Sequence, residues 1–526
     1  MLRRIQRGCL VALLAWCLAA TAATAQQRQA SYTNPVIAGD FPDPSVVRVG
    51  DDYWATTTSG NWEPHFPVLH SRDLVNWRIV GAVFARPPAW AARDFWAPEF
   101  IVDKGRFFVF YTARKRGGPL CVAVATAPRP EGPYTDHGPL VCQEIGSIDA
   151  FMVRDENDRP YLIWKEDGNS RGKPTPIWAQ PLTEDGTKLT GKPKMILRNT
   201  TAWENHVVEG SYILRRGEWF YHFYSGNACC GRSCNYALGV ARARKLLGPW
   251  EKNPRNPILA ANQQWQCPGH GDVVTDGRGR DFMLYHAYRA TRDAVYIGRE
   301  TLLDEIKWSA DGWPVINDGR GPGATAAVAP LPLAAERREA GFFDGFTDAT
   351  LAPGWQWPMH NTQSVSVETQ GGGYLLLAPT GSKAEDLTAA LVARQTTTGD
   401  YTATTHVDLR RMSPATHAGL AAYGWPTAAL GVVVGGGKLF VWRREEKREE
   451  RPYTADAPRA DSIYLRMTAQ GGERYQFAYS TNGREWTLLG QPVSGTHIEG
   501  VRVALTASGA PGAAARFDWL RVTPAR

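Results

Sequence analysis

Short runs of alternating or wholly apolar residues, separated by Gly- and Pro-containing turns, dominate the chain, and that is the pattern of β-strands. One aromatic-rich run, preceded by a polar turn, recurs as DDYWATTTS (51–59), GRFFVFYTA (105–113), DRPYLIWKED (158–167), GEWFYHFYSG (217–226) and GRDFMLYHAY (279–288). The matching aromatics Tyr53, Phe107, Tyr161, Trp219 and Phe282 lie 54, 54, 58 and 63 residues apart. Further strand patterns such as LCVAVATA and YALGVARA fill the intervals, and no long amphipathic helix interrupts them. Four strands and their loops fit that period. A β-solenoid coil would repeat at roughly half of it, and immunoglobulin-like sandwiches would not explain the even spacing. The pattern predicts a five-bladed β-propeller over residues 32–320.

A Gly-, Pro- and Ala-rich stretch follows and reads as a linker over 321–341. From 342 to 526 the runs GYLLLAP, YTATTHVDL, LGVVVGGGKLFVW, IYLRMTA, RYQFAYSTNG and ARFDWLRVT predict an antiparallel β-sandwich. The expected fold class is therefore all-β, a propeller followed by a sandwich.

A polar motif lies shortly before each repeated aromatic: FPDPS with Asp43, WAPE with Glu99, SIDAF with Asp149, VVEG with Glu209 and PGHG with His270. Equivalent positions of successive blades converge on a propeller's axis, so residues hundreds of positions apart are expected to meet there. Charged side chains are seldom buried without a partner. A single Asp in a Pro-Asp-Pro turn can be a turn residue, but four carboxylates and a histidine at matching places in five repeats point to a site.

Composition and charge narrow the function. The first 25 residues carry a basic start, an apolar core and Ala23-Thr24-Ala25, the form of a cleavable secretory signal, which predicts a periplasmic or extracellular protein. No later stretch reaches the roughly 20 apolar residues of a membrane span. Three leader arginines contribute to the formal charge of +7, leaving about +4, too mild and too dispersed for nucleic-acid binding. Six cysteines remain outside the leader: Cys121, Cys142, Cys229, Cys230, Cys234 and Cys267. An even count in an exported chain favours disulfides. Cys121 and Cys142 are expected to close one loop, while the pairing of the other four stays open; no ligand spacing supports zinc.

Two carboxylates flanking a pocket are the minimal equipment of glycoside hydrolysis, one to activate water or attack and one to protonate the leaving oxygen. A third can raise the acid's pKa by its charge. No convincing GxSxG or phosphate-cradling Gly-rich motif competes. At NPVIAGDFPDPSVVRVGDDYW, HSRDLVNWRIVG, WAPE, VVEG, PGHGDVV and GRETLLDEIKWSADGWPVI the chain resembles glycoside hydrolase family 43, five-bladed propellers that include β-xylosidases, α-L-arabinofuranosidases and arabinanases. The later half resembles the concanavalin-like sandwich that follows the propeller in many of them and can send a loop toward the active-site mouth.

The resemblance implies Asp43 as general base, Asp149 as the residue that tunes the acid's pKa, Glu209 as general acid, and inversion of configuration. It implies that His270 helps hold a hydrated calcium ion near the axis, a buried hydrogen-bonded histidine being the other reading, and that Arg289 contacts the sugar or the acid pair. Trp96 and Trp62 are candidate flat walls for a sugar, or core aromatics. Three positions depart from the family pattern: Ala150 and Phe151 replace the usual Pro-Ser, Glu99 stands where Asp is more common, and Ser211 stands where Pro is usual. The expected function is removal of terminal α-L-arabinofuranosyl or β-D-xylosyl units from plant cell-wall oligosaccharides. Another glycofuranosidase, such as one cleaving galactofuranosides, and a non-catalytic sugar-binding propeller are the rivals.

Overall fold

The computed structural model describes residues 31–291, 294–326, 328–333, 341–370, 372–381 and 385–525. The expected signal segment lies outside these residues, as does 334–340 of the expected linker. Five four-stranded antiparallel sheets follow one another, and their second strands are Asp52–Thr56, Arg106–Lys115, Pro160–Glu166, Trp219–Gly226 and Asp281–Arg289. These strands carry the five repeated aromatics, so each repeat is one blade.

The apolar and aromatic character of both faces of the second strands has a simple cause. Neighbouring residues on a strand point to opposite faces, and each face of a blade packs on a different neighbour. Tyr53 joins the core between the fifth and first blades, and Trp54 joins the core between the first and second. Tyr161 and Leu162 divide in the same way, as do Phe220 and Tyr221. Five apolar cores thus alternate with five sheets.

The ring is closed by pairing Tyr32–Thr33 with Thr325–Ala326. The Asn34 side chain reinforces the closure by donating to the Leu303 and Gly323 carbonyls at 3.1 and 2.9 Å.

The second unit is a sandwich of a nine-stranded and a six-stranded antiparallel sheet. The two units are stitched together. Trp62–Glu63 pairs with Trp357–Pro358, Trp357 Nε1 donates to Glu63 at 3.0 Å, and Tyr296 and Ile297 of the propeller are buried in the sandwich core. Among the described residues no helix is long and apolar enough to cross a membrane.

Candidate active site

On or just before the innermost strand of each blade a residue adopts positive φ, namely Asp43 (54°), Ala97 (41°), Asp149 (55°), Gly210 (60°) and His270 (46°), and the second and fifth of these strands carry a further one at Asp94 (62°) and Cys267 (54°). Breaks in strand register accompany this in the second to fifth blades. Such a kink re-aims a side chain, here toward the axis. It also corrects the motif alignment: Ala97, not Glu99, holds the backbone position equivalent to Asp43, Asp149 and His270. Glu99 lies two residues further on and is buried against Asp272, outside the pocket wall. Burial, with the Asp272 charge, drives its carboxyl well above the usual range.

Asp43, Asp149 and Glu209 open into one pocket of about 500 Å³, with exposures of only 8, 7 and 8%. A larger cleft of about 790 Å³ lies between the first blade and the sandwich, but no carboxylate lines it.

Each acid has its own electrostatic setting. Asp43 Oδ1 is 3.0 Å from Arg299 Nη1, Oδ2 accepts from Thr58 Oγ1 at 2.7 Å, and Thr58 Oγ1 accepts the Ala97 N–H at 2.7 Å. The Asp43 N–H donates to His286 Nδ1 at 3.1 Å. Burial pushes the Asp43 carboxyl up, but Arg299, His270 and His286 outweigh it and hold the group well below its usual range. Asp43 is therefore held as an ionised, oriented carboxylate.

Asp149 Oδ2 accepts the Gly210 N–H at 2.9 Å. Burial raises its pKa to about 6, with the Glu209 charge adding to the rise and His270 and Lys165 opposing it. Glu209 differs because Lys165 Nζ, itself 1% exposed, sits 2.6 Å from its Oε2 and 3.2 Å from Asp167. Burial alone would raise Glu209, yet Lys165, the Tyr236 hydroxyl and His270 hold it below the usual value. The two carboxyls interact, and Lys165 favours a proton on Asp149 over one on Glu209.

The other expected site residues divide. Trp96 is half-buried in the pocket wall. Trp62 reaches the pocket edge but is only 4% exposed, with the Arg502 guanidinium 4.2 Å from its ring and Tyr423 edge-on at 5.6 Å. It is chiefly an interface aromatic. Arg289 ends the second strand of the fifth blade and pairs with buried Glu300, outside the pocket wall. The propeller arginine in the wall is Arg299, just before the third strand; GRETLLDEIKW carried it in the sequence.

Lys165 was also missed, although a lysine inside the apolar run YLIWKED is the same signal that singled out Glu209. Ser211 has a local explanation: its hydroxyl bonds His222 Nε2 at 2.9 Å in the core, a contact that proline lacks.

His270 Nδ1 lies 3.5 Å from Asp43 Oδ1, and the His270 backbone N–H donates to Ser225 Oγ at 2.8 Å. Calcium needs six to eight oxygen ligands. Among the described residues no three His, Cys, Asp or Glu side chains converge as metal ligands, and the nearest carboxylate already carries the Arg299 charge. The protein groups around His270 do not form a calcium cage.

Segments of the sandwich complete the pocket wall through Gly424, Trp425, Glu499, Gly500 and Arg502. All six cysteines among the described residues are paired: Cys121–Cys142 as expected, then Cys229–Cys230 and Cys234–Cys267.

Comparison with known proteins agrees with this geometry. The profile of glycosyl hydrolases family 43 matches residues 32–314, and that of the beta xylosidase C-terminal concanavalin A-like domain matches 343–523. The chain is 28% identical to Xylosidase/arabinosidase 43B of Humicola insolens, covering 87% of this chain and 88% of that one. It is 27% identical to a Xylan 1,3-beta-xylosidase of a Vibrio species, covering 88% and 91%. The solved family 43 protein BlXynB of Bacillus licheniformis superposes with a TM-score of 0.81 at 25% identity, over 94% of this chain and all of that one. Axial carboxylates on a closed propeller, a sandwich that completes their pocket, and these matches place the chain in glycosyl hydrolase family 43, as a glycoside hydrolase.

Proposed function

We propose that the protein is an exported, exo-acting, inverting hydrolase that releases terminal α-L-arabinofuranosyl or β-D-xylosyl units from plant cell-wall oligosaccharides. The observation that carries this reading is the meeting of three carboxylates from three blades in one pocket under unequal settings: Asp43 is held well below its usual range beside Arg299, Asp149 is raised by burial to about 6, and Glu209 is held low by Lys165. Asp43 takes a proton from water as the water oxygen attacks the anomeric carbon. Glu209 gives its proton to the oxygen leaving with the rest of the chain. Asp149 keeps that proton in the pair, and a sugar that loosens the Lys165 contact returns it to Glu209.

Exo action is supported by the sandwich segments, which make the site a pocket rather than an open groove. The named relatives support a pentosyl substrate. Complete pairing of six cysteines suits an oxidising compartment.

The test is a panel of aryl α-L-arabinofuranoside, β-D-xyloside and β-D-galactofuranoside, followed by proton NMR of the first sugar released. A pentoside as best substrate, released with inverted configuration, is expected. Preference for the galactofuranoside moves the protein to the rival substrate class, and retention of configuration removes the assigned roles.

A further inference from the structure

The loop 227–236 joins the second and third strands of the fourth blade and contains NACCGRSCN. Its adjacent cysteines are linked to each other, and both line the pocket. A disulfide stabilises a fold mainly by closing a loop in the unfolded chain. Cys121–Cys142 and Cys234–Cys267 span separations of 21 and 33 residues, but Cys229–Cys230 spans 1 and closes no loop. Its contribution therefore lies in the surface it presents.

That surface is held firmly. Cys234–Cys267 ties the loop to the fifth blade, and the Gly231 N–H donates to Tyr288 Oη at 3.2 Å. Arg232 reaches the sandwich, donating to the Thr496 carbonyl at 2.9 Å and pairing with Glu499 at 3.3 Å. Cys229 packs beside Tyr236 and Tyr288, and Cys230 is exposed.

The loop continues directly from the strand that pairs with the acid's strand, Glu209 opposite Ser225 and Val208 opposite Gly226. It thus stands on the general-acid side, where the departing oxygen must lie. Two linked neighbouring cysteines form a small apolar ring whose side-chain torsions are already fixed. Contact with it costs no rotamer entropy, and its sulfurs are soft and polarisable. Trp62, turned toward Arg502 and Tyr423, offers little apolar surface of its own.

We propose that the Cys229–Cys230 disulfide is a sugar-binding platform on the leaving-group side of the pocket, carrying the C–H face of the ring attached to the departing oxygen. This rests on the glycosidase roles proposed for Asp43 and Glu209.

The test compares wild type with the Cys229→Ser/Cys230→Ser double variant on a pentosyl disaccharide and on the corresponding pentosyl fluoride, whose leaving atom is too small to reach the loop. The variant should lose about tenfold in kcat/KM on the disaccharide, through KM, and keep its rate on the fluoride. The Cys121→Ser/Cys142→Ser variant should show no such split. In unmodified protein, a saturating non-hydrolysable disaccharide should slow attack by a water-soluble phosphine, which gives two electrons to the S–S bond and takes the oxygen of a water molecule to become the phosphine oxide, while the two protons of that water convert the sulfurs to thiols. This measurement stands even if the variant does not fold. An unchanged disaccharide KM, an equal loss on both substrates, or no protection overturns the platform alone. Wild-type inactivity on both pentosides overturns the glycosidase reading and the platform with it.

Discussion

Arg299 Nη1 lies 3.0 Å from Asp43 Oδ1, so the base and its counter-charge come from opposite ends of the propeller sequence and meet at the axis. A base must be ionised, and activity is lost as pH falls through its pKa. Removing the guanidinium in Arg299→Met should raise the Asp43 pKa and move the acidic limb of the kcat/KM profile to higher pH. Asp43→Asn should lower kcat by about 10² to 10⁴. An unmoved acidic limb in Arg299→Met would show that another group sets it.

Lys165 contributes on the opposite limb. The acid must be protonated, and activity is lost as pH rises through its pKa. Lys165 holds Glu209 below its usual value, so Lys165→Met should shift the alkaline limb upward. Asp149→Asn removes a negative neighbour and should shift that limb downward. Full pH–rate profiles of the two variants distinguish these opposite shifts.

Glu209→Gln should abolish turnover of oligosaccharides, whose leaving groups need a proton, and spare more activity on aryl glycosides with acidic phenols. A slope of log kcat against leaving-group pKa that matches wild type would assign the proton to another residue.

Glu99 offers a stability test away from the chemistry. Its folded pKa is raised, so the stability it contributes is complete below its unfolded pKa and is lost as pH rises through the folded value. Glu99→Gln should flatten the fall of Tm on the alkaline side without changing KM. Thermal melts across pH, with kinetics at one pH, check both statements.

No three His, Cys, Asp or Glu side chains converge near His270 among the described residues, so the hydrated calcium ion expected there would take most of its ligands from water. Chelation should strip such an ion and lower activity, and elemental analysis of the untreated protein should find it in stoichiometric amount. Bound calcium whose removal lowers activity would show that water molecules complete a cage the protein leaves open.

The blade order was legible because each second strand serves two cores and must be apolar on both faces, a signal that survives in a single sequence. Asp43, Asp149 and Glu209 were legible as charges at matching places shortly before those strands. Glu99 was misplaced because the kink at Ala97 offsets the register by two residues, and spacing alone does not reveal a kink at alanine. Arg289 was named and Arg299 was not, because only the path of the chain shows which arginine around the fifth blade's second turn lines the pocket. The pairing of Cys229 with Cys230 was one of three possibilities for four cysteines. Arg502 and Trp425 had no local signature, since they reach the pocket only through the packing of the second unit.

Tyr296 illustrates what that packing means. Its ring, contributed by the catalytic propeller, is buried in the core of the sandwich, and its hydroxyl donates to Tyr401 Oη at 2.9 Å. Neither half has a complete interior without the other. Substrate preference in such a protein is a joint property, and a propeller moved alone onto another scaffold would arrive with one wall of its pocket missing and an unfilled place in its partner's heart.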